Sequence, residues 1–123
     1  MTHDDLVFGA GLWEGEGCFC VTRDNRSERF RDRLAAKIEM TDLDVITWFR
    51  DTFAPGNHIS CLIRKGRRAN EKPTYVVHLT GAKAEALAHL LKPYLFQRRR
   101  DKIDEILAMD LSHHPRKAVT VSD

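Results

Sequence analysis

Apolar positions along this chain follow two alternating periods, a helical spacing and a strict two-residue spacing. Leu6, Val7, Phe8, Leu12 and Trp13 form an apolar run that predicts a helix over residues 3–14. Thr2 is its candidate N-cap, and Asp4 and Asp5 fall in the first turn, where the helix dipole favours acids. Residues 18–23 and 33–40 alternate and predict a hairpin, with the polar stretch 24–32 as its loop. Thr41 or Asp42 then caps a second helix, in which Val45, Trp48, Phe49 and Phe53 recur at helical spacing until Pro55-Gly56 ends it. Residues 58–64 and 74–79 predict a second hairpin around the loop 65–73. Gly81 precedes a third helix with Leu87, Leu90 and Leu91 facing inward, interrupted at Pro93. A last helix covers about residues 97–111 through Ile103, Ile106 and Leu107.

The order is α-β-β-α-β-β-α with a terminal helix added. Two β-β-α units after the first helix imply an α+β architecture, one antiparallel sheet with its helices on a single face. Phe19, Val21, Leu34, Ala36 and Ile38 of the first hairpin should face the helices, as should Ile59, Cys61, Ile63, Tyr75, Val77 and Leu79 of the second. The open face then carries Cys18, Cys20, Thr22, Arg33, Ala35, Lys37 and Glu39 from the first hairpin. Ser60, Leu62, Arg64, Thr74, Val76 and His78 join them from the second. Such a mixture of basic, polar and small apolar groups suits a β-ribbon that reads base edges in a major groove. An ordinary solvated sheet face is the alternative.

With 123 residues the chain suits one domain, a core over residues 3–111 followed by a polar tail over 112–123. No apolar stretch reaches the about 18 residues that cross a bilayer, and the acidic start lacks the basic residues of a signal peptide. A soluble, cytoplasmic protein without a membrane partner is expected. Cys18, Cys20 and Cys61 are odd in number and lack paired zinc spacing, so reduced thiols are expected. The formal net charge of +2 hides a strong asymmetry. Residues 1–17 carry four acids and no Lys or Arg, whereas residues 57–100 carry ten Lys and Arg against two acids, a net of +8. Six further bases lie in residues 23–37, Arg26 among them, and the second loop holds Arg67 and Arg68. Basic clusters on hairpins and beside a helix start favour double-stranded nucleic acid as the partner, with no small-molecule cofactor indicated.

Residues 9–17 read Gly9-Ala10-Gly11-Leu12-Trp13-Glu14-Gly15-Glu16-Gly17. Gly11 and Gly15 share a helix face almost without side chains, so a second helix can approach closely. The Gly-Glu-Gly end should stop the helix, because glycine favours the left-handed conformation that closes a C-terminus. Glu16 is then presented where the helix already carries about half a negative charge, a mismatch that suggests a cation.

This nonapeptide resembles the signature of the LAGLIDADG homing endonuclease family in its Gly-Glu-Gly variant, and the element order over residues 3–107 matches that family. The resemblance implies the LAGLIDADG endonuclease-like fold, with an open concave DNA-binding face. It also implies a sequence-specific DNA endonuclease that cuts both strands of a near-palindromic site with Mg²⁺ or Mn²⁺. Chains with one motif act as homodimers in this family, which implies an interface through Ala10, Gly11, Trp13 and Gly15. It gives Glu16 as the direct metal ligand, with the Gly15 carbonyl as a second. Arg98, after Pro93-Tyr94-Leu95, stands where the family more often has a catalytic lysine, and an arginine there stabilises charge rather than moving a proton. Asp42 stands where the family often has a polar residue that positions the water, and it equally suits capping of the second helix. Glu14 reads as a structural carboxylate. The alternative within the same fold is a non-cleaving nucleic-acid-binding protein, a transcriptional regulator or an intron splicing cofactor.

Overall fold

Thr2 opens the first helix with a reciprocal pair of bonds. Its Oγ1 accepts from the Asp5 N–H at 3.0 Å, while its own N–H donates to Asp5 Oδ2 at 3.0 Å. The structure, a computed structural model, describes residues 1–24, 31–63 and 72–109. Its elements are α1 (His3–Glu16), β1 (Gly17–Asp24), β2 (Arg31–Met40), α2 (Leu43–Phe53), β3 (Ile59–Leu62), β4 (Thr74–Thr80), α3 (Ala82–Leu91) and α4 (Gln97–Leu107). A single 3-10 turn, Lys92–Tyr94, links the last two helices around Pro93. The predicted order therefore holds, with α1 two residues longer at its C-terminal end and β3 shorter. No helix among the described residues is long and apolar enough to cross a membrane.

The four strands form one antiparallel sheet in the order β1-β2-β4-β3. The two hairpins thus lie side by side, with β2 and β4 central. Gly81 makes the turn from β4 into α3 at φ 65° and ψ −133°, a conformation that side chains with a Cβ rarely adopt. Its N–H still donates to Leu34 O at 2.9 Å, which extends the central pairing by one bond.

One apolar core fills the space between the sheet and the helices. Phe19, Leu34, Ala36, Ile38, Val77 and Leu79 enter it from the strands. Ala10 and Trp13 of α1, Ile46 and Phe49 of α2, Ala84, Leu87, Ala88 and Leu91 of α3, and Ile103 and Ile106 of α4 cover them. The α3 stripe corrects the expected one, because Leu90 is 36% exposed. Positions 84, 87, 88 and 91 repeat at three and four residues, which turns 90 to the side. Cys61 and Ile63 also depart from expectation and are exposed, Ile63 by 77%. Cys61 lies near the end of a four-residue edge strand and Ile63 just past it. Val21, on the inner face of the opposite edge strand, is 38% exposed as well.

Gly9 is buried, and a Cβ there would overlap the Phe53 ring, which itself packs on Phe49 and Trp48 at centroid distances of 4.8 and 5.7 Å. Phe53 therefore fills the space a larger residue 9 would occupy. Gly9→Ala is expected to cost about 1–3 kcal/mol by overpacking. Urea unfolding of G9A against G9A/F53L checks this, and no recovery in the double variant would reject the steric account.

Candidate functional site

Helix α1 runs through Gly15 to Glu16 and ends in extended backbone, with Gly17 at φ −90° and ψ 162°. The expected left-handed glycine closure is thus corrected. Gly17 is required for a different reason, since a Cβ would overlap the Trp13 indole packed against it. The chain passes from helix to strand without a loop, and Glu16 is held at the joint, exposed and without a hydrogen-bond or ion-pair partner among the described residues.

Glu16 lines an open cleft of about 500 Å³ together with Glu39, Met40, Thr41, Asp42 and Thr74. The end of β2, the turn into α2 and the start of β4 supply these residues, so three carboxylates share one concavity. Two of them are engaged. Glu39 lies 3.6 Å from Lys37 Nζ. Asp42 caps α2, its Oδ1 accepting from Asp44 N at 3.1 Å and Val45 N at 3.3 Å. Asp42 thus caps α2 and also lines the cleft. Among the described residues, no three His, Cys, Asp or Glu side chains converge closely enough to hold a metal within one chain. The oxygen donors of the cleft are hard ligands of the type that suits Mg²⁺ or Mn²⁺ rather than zinc.

Arg98 occupies the first turn of α4, exposed and without a partner among the described residues, and it is not part of the cleft lining. Its neighbour Arg99, which the sequence did not single out within the Arg98-Arg99-Arg100 run, reaches the joint instead. One guanidinium nitrogen donates to Gly17 O at 2.7 Å and another to Glu14 O at 2.9 Å. The buried Nε faces Glu14 Oε1 at 3.6 Å, an ion pair too long to be a hydrogen bond. Glu14 Oε2 accepts from the Phe96 N–H at 2.6 Å.

On the open face, the pairing aligns Cys18 with Lys37 and His78, Cys20 with Ala35 and Thr80, and Thr22 with Arg33. Glu39, Val76 and Ser60 form the next row, and Leu62 pairs with Thr74. Arg33, Lys37, Leu62 and His78 are exposed, while Cys20, Thr22, Glu39, Ser60 and Thr74 are half-buried. Val76 was expected as an outward contact but is 5% exposed, because it sits on a central strand between Glu39 and Ser60. Ala35, at 1%, is likewise covered on its central strand. Burial first, and then the adjacent Cys18 thiol, push the Cys20 thiol up, against the opposing pull of Lys37 and Lys102. Arg26, Arg64, Arg67 and Arg68 lie outside the described residues.

The expected interface residues of α1 divide by face. Ala10 and Trp13 are each 1% exposed and point into the chain's own core, Trp13 against Phe19 and Phe49 at centroid distances of 4.7 and 5.7 Å. That corrects their assignment to an outer surface. Gly11 and Gly15 lie exposed on the other face with nothing within 4 Å of a Cβ, beside Val7 and Phe8, which are 48% and 55% exposed.

No protein-family model and no curated protein sequence matches the chain. Solved structures do. The homing endonuclease I-CvuI, determined on the I-CreI target with Mg present and the DNA not cleaved, superposes with a TM-score of 0.63 at 16% identity, over 84% of this chain and 63% of that one. The LAGLIDADG homing endonuclease I-GzeII on its DNA target gives 0.60 at 15% identity, over 83% of this chain and 34% of that one. The archaeal intron-encoded homing endonuclease I-Vdi141I, complexed with DNA, gives 0.56 at 14% identity, over 85% and 69%. The chain thus spans under two thirds of I-CvuI and about a third of I-GzeII. With the motif helix leading directly into a four-stranded antiparallel sheet open on one face, this chain has the fold of the LAGLIDADG homing endonucleases.

Proposed function

We propose that the protein is a sequence-specific DNA endonuclease that works as a homodimer and cuts both strands of a near-palindromic site with Mg²⁺ or Mn²⁺. The observation that carries this reading is Glu16, a carboxylate without a partner among the described residues, at the corner where α1 becomes β1 and in the lining of a carboxylate-bearing cleft. A free carboxylate at the negative end of a helix is unfavourable unless a cation offsets it. The neighbours named above were determined on DNA, in agreement with a duplex partner for the open sheet face.

In this reading Glu16 holds the metal, with the Gly15 carbonyl beside it in the helix's last turn. The bound cation supplies charge neutralisation at the attacked phosphate and a more acidic water. Asp42 still has Oδ2 available for a water, since capping of α2 occupies Oδ1. Arg98 adds a fixed positive charge against the developing phosphate charge, an electrostatic role rather than a proton transfer. Arg33, Lys37 and His78 sit on the exposed sheet surface where a duplex would lie, and Cys20, Thr22, Ser60, Leu62 and Thr74 share that face. Arg26, Arg64, Arg67 and Arg68 would add phosphate contacts that make binding fall with salt.

One chain offers one Glu16. A second copy related by a two-fold axis would pack the Gly11 and Gly15 face of α1 on its mate, with Val7 and Phe8 supplying apolar area, and would bring two Glu16 carboxylates near the axis. Cleavage of a randomised duplex library in Mg²⁺, in Ca²⁺ and in chelator, with sequencing of bound and cut molecules, tests the reading. Staggered breaks at one near-palindromic site in Mg²⁺ alone are expected. Enrichment without breaks in any metal would replace it with a non-cleaving binder of the same fold.

A further inference from the structure

We infer that Glu14 and Arg99 form a reciprocal clasp between the end of α1 and the start of α4, and that Arg99 is a positioning residue for Glu16 and Arg98; this rests on the endonuclease reading. Each partner answers a deficit in the other's helix. The last turn of α1 contains no basic residue, so its terminal carbonyls lack a cationic partner of their own. Arg99 brings one from α4. The first turn of α4 contains no acid, and its N-cap, Phe96, has no side chain able to accept a bond. Glu14 supplies that acceptor from α1 at 2.6 Å.

The geometry bears directly on Glu16. Arg99 grips Glu14 O and Gly17 O, two carbonyls three residues apart that bracket Glu16 in the chain. The backbone on both sides of the carboxylate is therefore pinned while the carboxylate itself is left untouched and available. A planar guanidinium can span two carbonyls in this way, whereas a lysine ammonium offers a single point of attachment. The same contacts hold the first turn of α4, on which Arg98 is exposed one residue earlier. Two consecutive arginines thus divide the work, Arg99 holding the joint and Arg98 facing outward.

The test uses the full chain as wild type, Arg99→Gln, Arg99→Lys and Glu14→Ala. It follows amide hydrogen exchange at Gly17 and Phe96, single-turnover cutting of the library-selected duplex in Mg²⁺, and affinity for that duplex in Ca²⁺. R99Q is expected to speed exchange at both amides, although Arg99 bonds neither N–H. It should also lower the single-turnover rate about 10²-fold, the size of loss a misplacement of about 1 Å produces, with unchanged affinity. E14A should reproduce the faster Phe96 exchange, and R99K should recover only part of the rate. Wild-type exchange and rate in R99Q would overturn the clasp, and a loss of affinity equal to the loss of rate would reduce Arg99 to a structural residue. If the wild type cuts no duplex, the endonuclease reading fails on its own, and the exchange measurements still decide whether the clasp exists.

Discussion

Glu16→Gln is expected to lower Mg²⁺-dependent cutting by more than about 100-fold, since even the outer partners of a metal ligand are worth about 10–100-fold. Affinity for the same duplex, measured in Ca²⁺ by fluorescence anisotropy, should stay unchanged. The substitution keeps the size of the side chain and removes only its charge. Glu16 is exposed and contacts no described side chain by hydrogen bond or ion pair, so its loss should not disturb the fold. Retained cutting would remove the metal assignment. A parallel loss of DNA affinity would give Glu16 a role in shaping the surface rather than in the chemistry.

Trp13→Ala is expected to give the largest loss of stability, about 3–5 kcal/mol in urea unfolding. Trp13 is 1% exposed, packs on Phe19 and Phe49, and fills the space that Gly17 leaves by having no Cβ. Its indole Nε1 is buried without a partner among the described residues, which costs about 1–3 kcal/mol of desolvation. Trp13→Phe should therefore be much milder, because it keeps most of the aromatic contact and removes the unpaired donor. Equal losses for Phe and Ala would mean that the fit of the whole indole outweighs the buried donor, contrary to this account. Because Trp13 links α1 to β1 and α2, W13A is also expected to loosen the corner that presents Glu16.

Much of this was legible in the residues themselves. Thr2 with Asp5, and Asp42 ahead of Asp44 and Val45, announce helix starts through bonds two to three residues long, and those bonds are present. Two-residue alternation separated the buried Phe19, Leu34, Ala36, Ile38, Val77 and Leu79 from the exposed Arg33, Lys37 and His78. The pattern failed where burial depends on what lies alongside a strand. Alternation treats Val76 like His78, yet Val76 is covered by its neighbours in the sheet, and it treats Cys61 like Val77, yet Cys61 lies at an uncovered edge. The apolar run of α1 also concealed which of its faces was inward, since Trp13 and Phe8 both fit a buried stripe and only Trp13 is enclosed.

By itself the sequence determined the element order, the Thr2 cap, a second cap at Thr41 or Asp42, most of the division between the two sheet faces and the placing of Glu16 at the close of the motif helix. These follow from interactions within a few residues and from periods that repeat along the chain. Only the tertiary structure decided that Arg99 rather than Arg98 closes the joint, that Glu14 accepts from the N–H of Phe96, the N-cap of α4 82 residues later, and that Glu16, Glu39 and Asp42 share one cleft. It also decided that Gly9 and Gly17 make room for Phe53 and Trp13. Each of these depends on which side chains the packing of α1 and α4 against the sheet brings within a few ångströms, and that proximity has no counterpart in local spacing or charge.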